Sequence, residues 1–225
     1  MLSDVHCDKN PSALKFIEEL IELYNERIIV ASGDWGFCGD DFFKDLSDIA
    51  SVYTIYGNND DVEKLRKYFN LIEDGEVFKI EGIGVGGING IISPKGTPNK
   101  YGVPRKKPEE FLSYAKLLSK RSVDLLLLHE TPYLPNFFGK MWRNVATLTA
   151  LDALLLIKPK YALIGHLHAF KCKIGSIEEI TIIHVDSLRE GYALFRGESV
   201  RCGEGRAGQR RARAPHPWPL DDPAP

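Results

Sequence analysis

The chain has 225 residues, a formal net charge of −2 and 44% hydrophobic residues. A chain of this length can bury one substantial core, and the charge excludes the strong overall basic field of non-specific nucleic-acid binders. No apolar run approaches the roughly 20 residues that a membrane span needs, so we expect one folded domain over residues 1–200 that does not engage a membrane.

Strand-like runs rich in Ile, Val and Leu alternate with segments of helical period, which predicts an α/β fold with buried strands. The first helix is expected over residues 11–26, with Asn10 as its N-cap and Pro11 in its first turn. Strands are predicted over residues 28–31, 52–56, 77–80, 83–86, 123–128, 161–164, 180–185 and 192–195. Further helices are expected near residues 41–49, 61–68, 108–120 and 144–157. The segment 89–107, rich in Gly, Pro and Lys, is expected to be a long loop of the kind that often rims an active site.

Both ends of the chain stand out. Asp4 lies so near the start that no full strand fits before it, and we expect the first strand to be truncated. The last 25 residues contain five Arg, five Pro and no Lys. This change of composition predicts a disordered Arg/Pro/Gly-rich tail over residues 201–225.

The four cysteines, Cys7, Cys38, Cys172 and Cys202, are scattered without a CxxC pair. Their spacing indicates neither a zinc ribbon nor a disulfide framework. We therefore expect free thiols and a cytoplasmic protein, with Cys7 as a semi-buried thiol.

Five short segments carry side chains that suit metal ions. They are Asp4-Val5-His6, Gly33-Asp34, Gly57-Asn58-Asn59-Asp60, His129 and Gly165-His166-Leu167-His168. All but the first follow a predicted strand, and binding sites in α/β sheets assemble at the carboxyl ends of strands. Any one of these motifs more often marks a turn or a cap, so the evidence is their joint occurrence.

Two local features support a shared site. The glycines that precede Asp34, Asn58 and His166 permit sharp turns and close backbone approach. In an extended backbone, the alternation of His166 and His168 around Leu167 would send both imidazoles the same way, so that one could serve each of two metals.

In order, these motifs resemble those of the calcineurin-like metallophosphoesterase superfamily, whose pattern is DxH, GD, GN followed by H and D or E, a lone His, and GHxH. The resemblance covers residues 1–195. It implies a four-layer α/β/β/α sandwich of two mixed sheets flanked by helices. It also implies two divalent metal ions, such as Mn, Fe, Zn or Ni, and attack of a metal-bridging hydroxide on a phosphomonoester or phosphodiester. The expected partner is a small phosphate-ester substrate.

Carried over by position, the resemblance implies one metal bound by Asp4, His6 and His168, a second bound by Asn58, His129 and His166, and Asp34 as the bridge between them. Asp60 is expected to orient a neighbouring group. Asn59 stands where many members have a histidine that interacts with the phosphate or protonates the leaving group. Asparagine can donate a hydrogen bond to a phosphoryl oxygen but cannot deliver a proton at neutral pH.

Other residues have two interpretations. Trp35 and Phe37 either line the substrate pocket or pack in the core. His184 is expected to pack within the sheet, and the basic residues 105–107 either steer the substrate or form a solvated surface.

Two functions fit these observations, and a third is less well supported. The first is an active metal-dependent phosphoesterase, and the second is a catalytically silent binding scaffold of the same fold. The third, a nuclease, lacks support because such relatives usually carry an added capping domain and a histidine where Asn59 stands.

Overall fold

The structure, a computed structural model, describes residues 1–205. Its helices are α1 (Ala13–Tyr24), α2 (Asp40–Ile49), α3 (Val62–Tyr68), α4 (Pro108–Leu118), α5 (Pro135–Phe138) and α6 (Val145–Ile157). Its strands are β1 (Ile28–Ala31), β2 (Ser51–Thr54), β3 (Asn70–Leu71), β4 (Val77–Ile80), β5 (Ile83–Ile88), β6 (Leu125–Leu128), β7 (Tyr161–Ile164), β8 (Cys172–Ile177), β9 (Ile180–Val185), β10 (Gly191–Arg196) and β11 (Ser199–Glu204).

The larger sheet has the strand order β4-β5-β6-β7-β9-β8. Strands β5, β6, β7 and β9 are parallel, and the edge strands β4 and β8 are antiparallel to their neighbours. The sheet is therefore mixed, as the resemblance implies.

The second sheet joins the parallel strands β1, β2 and β3 to the antiparallel hairpin β10–β11. Residues Met1 and Leu2 form the join. Leu2 donates to Val30 O at 2.9 Å and accepts from Ser32 N at 3.1 Å, and Met1 exchanges backbone hydrogen bonds with Ala193. The expected truncated first strand is thus a two-residue segment that pairs on both sides.

Three apolar clusters define four layers. One packs α1 and α2 on the second sheet, one packs α4 and α6 on the larger sheet, and one lies between the two sheets. In β6, Leu126 and Leu128 face the helices while Leu125 and Leu127 face the other sheet. Successive strand residues point to opposite faces, so burial on both faces explains the unbroken leucine run.

The predicted strands and long helices are all present, with shifts at their ends. Helix α1 begins at Ala13 with Ser12 at the N-cap, so the predictions of Asn10 as N-cap and of Pro11 in the first turn are both wrong. The backbone N–H groups of Lys9 and Asn10 instead donate to His6 O. This turn precedes the helix and moves its start to Ala13.

The predicted tail begins too early. Strand β11 continues to Glu204 and pairs with β10, so residues 201–204 are ordered. Residues 206–225 lie outside the described part of the chain.

The expectation of free thiols is wrong. Cys7 pairs with Cys38 and Cys172 pairs with Cys202 in disulfides. The partners are 31 and 30 residues apart in sequence, so no local spacing reveals the pairing. A cytoplasmic location stays a prediction, without its argument from the cysteines. None of the helices in residues 1–205 is long and apolar enough to cross a membrane.

Candidate metal centre

The predicted ligands meet at one edge of the sandwich. Asp34 follows β1, Asn58 follows β2, His129 follows β6, and the segment 165–168 follows β7. These four strands end at the same edge because they are parallel to their sheet neighbours. Carboxyl ends of parallel strands therefore place all four loops together.

The Asp4-Val5-His6 segment lies against the loop after β1. Asp4 N donates to Gly33 O at 3.0 Å, and His6 N donates to Asp34 O at 3.0 Å. This backbone pairing brings the three side chains Asp4, His6 and Asp34 to one point.

Four of the predicted ligands have a left-handed backbone conformation. Asp4, His6, Asp34 and His166 have φ between 44° and 66°, and they are half of the eight non-glycine residues with positive φ in the described chain. This conformation costs about 1–2 kcal/mol for a residue with a Cβ. Such strain clusters at functional sites, where it aims side chains that the surrounding structure holds in place.

One group of ligand atoms joins the first motif to the last. A carboxylate oxygen of Asp4 and one ring nitrogen each of His6 and His168 all lie within 4.8 Å of one another. His6 Nε2 is 3.8 Å from oxygens of both Asp4 and Asp34.

A second group surrounds His129. Its Nε2 lies 3.2 Å from Asn58 Oδ1 and 3.3 Å from Asp34 Oδ1. The ring centroids of His129 and His166 are 5.0 Å apart. Atoms of Asp4, Asp34 and His129 also lie within 4.8 Å of one another, so Asp4 approaches both groups. The structure thus brings all seven predicted ligands into one cluster.

The backbone of the last motif differs from the expected extended form. His166 has φ 66°, and Leu167 N donates to Gly165 O at 2.8 Å, which closes a three-residue turn. The turn places His166 beside His129 and leaves His168 near His6, at a centroid distance of 6.3 Å. The two imidazoles therefore reach different parts of the cluster through a turn rather than through strand alternation.

Two glycines are required by close approach. A Cβ on Gly57 would lie 2.1 Å from Asp34 Oδ1 and 2.7 Å from the His129 ring. A Cβ on Gly165 would lie 2.1 Å from Ser3 Oγ and 2.9 Å from Asp4 Oδ2. The glycines leave space for the ligands, as the sequence predicts.

Asn59 and Asp60 both orient the loop that carries Asp34. Asn59 donates to both oxygens of Asp34, from its backbone N at 2.7 Å and from Nδ2 at 2.6 Å. Asp60 is 2% exposed and accepts the backbone N–H groups of Asp34, Trp35 and Gly57 at 2.6–2.8 Å. In this structure Asn59 therefore contacts a predicted ligand, and Asp60 holds two of the ligand loops together.

The model of the calcineurin-like phosphoesterase superfamily domain matches residues 1–185. The chain belongs to this superfamily. Members of the calcineurin-like superfamily are typically phosphoester hydrolases that bind divalent metal ions. No curated protein sequence matches the chain significantly.

Solved structures share the fold. One superposes with a TM-score of 0.71 at 10% identity, covering 90% of this chain and 96% of the other. TT1561 of Thermus thermophilus has a TM-score of 0.64 at 15% identity, with 90% and 96% covered. The phosphopantetheinyl hydrolase PptH from Mycobacterium tuberculosis has a TM-score of 0.58 at 13% identity, with 99% and 97% covered. At these identities the likeness shows the calcineurin-like fold alone.

Burial and neighbouring charges shift the pKa values of the buried groups in the cluster. Burial opposes the charged form of Asp34, but His129 and the hydrogen bonds from Asn59 hold the pKa of this carboxyl well below its usual range. Burial likewise opposes charge on His129, yet Asp34 raises the pKa of the imidazole to about 10. Burial and the charge of Asp34 raise the pKa of Asp60 to about 7. The carboxylate of Asp34 thus favours the charged form of His129, and a cation would compete with a proton for Nε2.

The residues fit a divalent metal ion, as the calcineurin-like superfamily implies. Asp4 and Asp34 are each 1% exposed, and within residues 1–205 their only cationic partners within 4 Å are histidines. His6 Nδ1 is buried without a hydrogen-bond partner, and His6 Nε2 is too far from either carboxylate for a hydrogen bond. Buried carboxylates and imidazoles that converge on one point are a donor set suited to Mn, Fe or Zn.

Two further contacts fix the histidine tautomers. His129 Nδ1 donates to Ser32 O at 2.9 Å, which directs Nε2 toward the cluster. His168 Nδ1 donates to Asp186 Oδ1 at 2.5 Å, which leaves its Nε2 free. The sequence did not reveal Asp186 in this role, because it lies 18 residues beyond His168 and only the fold brings it near.

The remaining predictions have clear outcomes. His184 is fully buried, as expected, and its Nδ1 lies 3.2 Å from Ile164 O. Trp35 belongs to the core and bonds Thr54 Oγ1 at 2.9 Å, whereas Phe37 is exposed. Lys106 is neither solvated nor free to steer a substrate, because it is 3% exposed and its Nζ lies 2.9 Å from Asp74 Oδ2.

Proposed function

We propose that the chain is a metal-dependent phosphoesterase that hydrolyses a phosphomonoester or phosphodiester. The observation that carries the proposal is the convergence of two buried carboxylates with four histidines. Two divalent ions bound there would supply Lewis acidity and a water of lowered pKa. The residues that would hold them are Asp4, His6, Asp34, Asn58, His129, His166 and His168.

The chain itself contributes orientation. Asp34 is held at both oxygens by Asn59, and its loop is held by Asp60. Asp34 is the predicted bridge, so this anchoring fixes the spacing of the two ligand groups. Fixed groups need no reorganisation when charge develops on a bound phosphate.

Asn59 restricts the chemistry. Its side chain cannot donate a proton at neutral pH to a departing alkoxide. We therefore expect slow turnover of esters with poor leaving groups and better turnover of activated diesters. Replacing Asn59→His should raise the rate on poor leaving groups relative to good ones; an unchanged ratio would contradict this assignment.

The test of the proposed function is hydrolysis of p-nitrophenyl phosphate and bis-p-nitrophenyl phosphate by metal-stripped protein after addition of Mn, Ni, Zn or Mg. We expect turnover that depends on the metal and is lost in Asp34→Ala. Metal binding by calorimetry and folding by circular dichroism are measured on the same samples. A folded, metal-bound protein without turnover would instead indicate a binding scaffold.

A further inference from the structure

Two exposed aromatic side chains, Phe37 and Tyr101, pack against each other at the surface. Phe37 is 39% exposed and Tyr101 is 56% exposed, yet their ring centroids lie only 5.2 Å apart. They come from separate loops, the first after β1 and the second in the long segment 89–107. Large apolar groups this exposed gain little from folding, so their pairing calls for another reason.

Each ring is connected to the ligand loop after β2. Phe37 follows Gly36, whose N donates to Asn59 O at 3.0 Å. Tyr101 N donates to Asn99 Oδ1 at 2.9 Å, and Asn99 Nδ2 donates to Asn58 O at 2.6 Å. The two loops that carry the aromatic pair, Phe37 and Tyr101, are therefore both hydrogen-bonded to the backbone of Asn58 and Asn59.

The loop that carries Tyr101 is held in place. Val103 is 3% exposed, and its N donates to Asn99 Oδ1 at 3.1 Å. Further along, Lys106 Nζ donates to Asn89 O at 2.7 Å and contacts Asp74. An anchored ring loses little freedom when a ligand packs on it, which favours binding.

A positively charged side chain also lies beside the aromatic pair. Lys100 Nζ lies 4.8 Å from the centroid of the Tyr101 ring. A cation beside an aromatic pair suits a ligand that joins an anionic phosphate to a flat apolar group.

We infer that the aromatic pair is a subsite for the planar aromatic group of a phosphate ester, an assignment that rests on the proposed function for its phosphate end. The phosphate occupies the metal centre, and the aromatic group packs against Phe37 and Tyr101. An aromatic contact of this kind exceeds the effect of an aliphatic group of equal size by about three- to tenfold in affinity. If the two rings served only to pack their two loops together, an aromatic and an aliphatic ligand of equal size would bind with equal affinity.

The test uses phosphonates, which bind without being hydrolysed. Methylphosphonate, cyclohexylmethylphosphonate and benzylphosphonate are titrated into Mn²⁺-loaded protein by calorimetry. We expect benzylphosphonate to bind about three- to tenfold more tightly than its cyclohexylmethyl analogue. Phe37→Leu and Tyr101→Leu should abolish that preference, and Tyr101→Phe, which keeps the ring, should retain it. Methylphosphonate should bind all variants equally.

The outcomes separate this inference from the proposed function. Equal affinity for the two larger phosphonates, a preference that survives both leucine variants, or no phosphonate binding would overturn the subsite. A ring-dependent preference without hydrolysis of the p-nitrophenyl esters would uphold the subsite and overturn the esterase. Hydrolysis of the p-nitrophenyl esters without a preference for benzylphosphonate would uphold the esterase and overturn the subsite.

Discussion

Two parts of the metal centre are held in different ways. The first part, which we call the aspartate wall, comprises residues 32–36 and 56–60. It is built on buried carboxylates, and the single carboxylate of Asp60 accepts three backbone N–H groups. The histidine loop, residues 165–168, ends in a side chain that is 56% exposed and is held by Asp186. The aspartate wall is thus held by several hydrogen bonds to backbone N–H groups, whereas the exposed end of the histidine loop is held by one side-chain contact.

The largest effect should come from crowding the aspartate wall. In Gly57→Ala the new methyl group would meet Asp34 and His129, and neither can move without breaking its own hydrogen bonds. A misplacement of about 1 Å can cost about a hundredfold in rate, so we expect a loss of that order in kcat/KM for bis-p-nitrophenyl phosphate.

The matched control is Gly39→Ala, where a Cβ would meet nothing within 4 Å. It should keep full activity. A kcat/KM for Gly57→Ala close to that of the control would show that the aspartate wall can adjust to the added methyl group.

A smaller effect is expected in the histidine loop. Asp186→Asn removes the charge that orients His168 but leaves the aspartate wall untouched. Loss of such a partner typically lowers metal affinity by about 10- to 100-fold. Calorimetric titration with Mn²⁺ should show one binding step weakened and the other retained. Glu198→Gln, an exposed carboxylate change on the β10–β11 hairpin, is the control. Weakening of both steps equally would mean that the two parts of the site are not independent.

The smallest expected effect is a dependence of folding stability on pH. Burial lowers the pKa of His184, which lies behind the histidine loop and contacts Ile164 O. The unfolded chain therefore binds a proton near the ordinary pKa of about 6.5, while the folded chain resists it, and stability should fall as pH drops below that value. The slope is at most about 1.4 kcal/mol per pH unit for one proton.

Urea unfolding of metal-free protein at pH 7.5 and pH 5.5 measures this loss. His184→Gln keeps a donor for Ile164 O but does not titrate, so its loss between the two pH values should be smaller than that of the wild type. An equal loss in both proteins would assign the acid sensitivity to other groups.

The sequence predicts most of the site because its signals are local. All the ligands except Asp4 and His6 follow a buried apolar run, and runs such as 125–128 identify parallel strands whose ends must meet. The contacts of Asp186 and Asn99 were not predictable, since they join segments distant in sequence through loops. The same holds for both disulfides. Strand β8 was missed because it is a half-exposed edge strand with Lys, Gly and Ser among its residues.

The disulfide between Cys172 and Cys202 joins β8 to β11, which belong to different sheets. A covalent link that closes about 30 residues removes about 3–4 kcal/mol of chain entropy from the unfolded ensemble. While the bond is intact, β8 and β11 cannot separate from each other. An unfolded molecule therefore keeps these two strands close together, and they start near their native partners when the chain refolds.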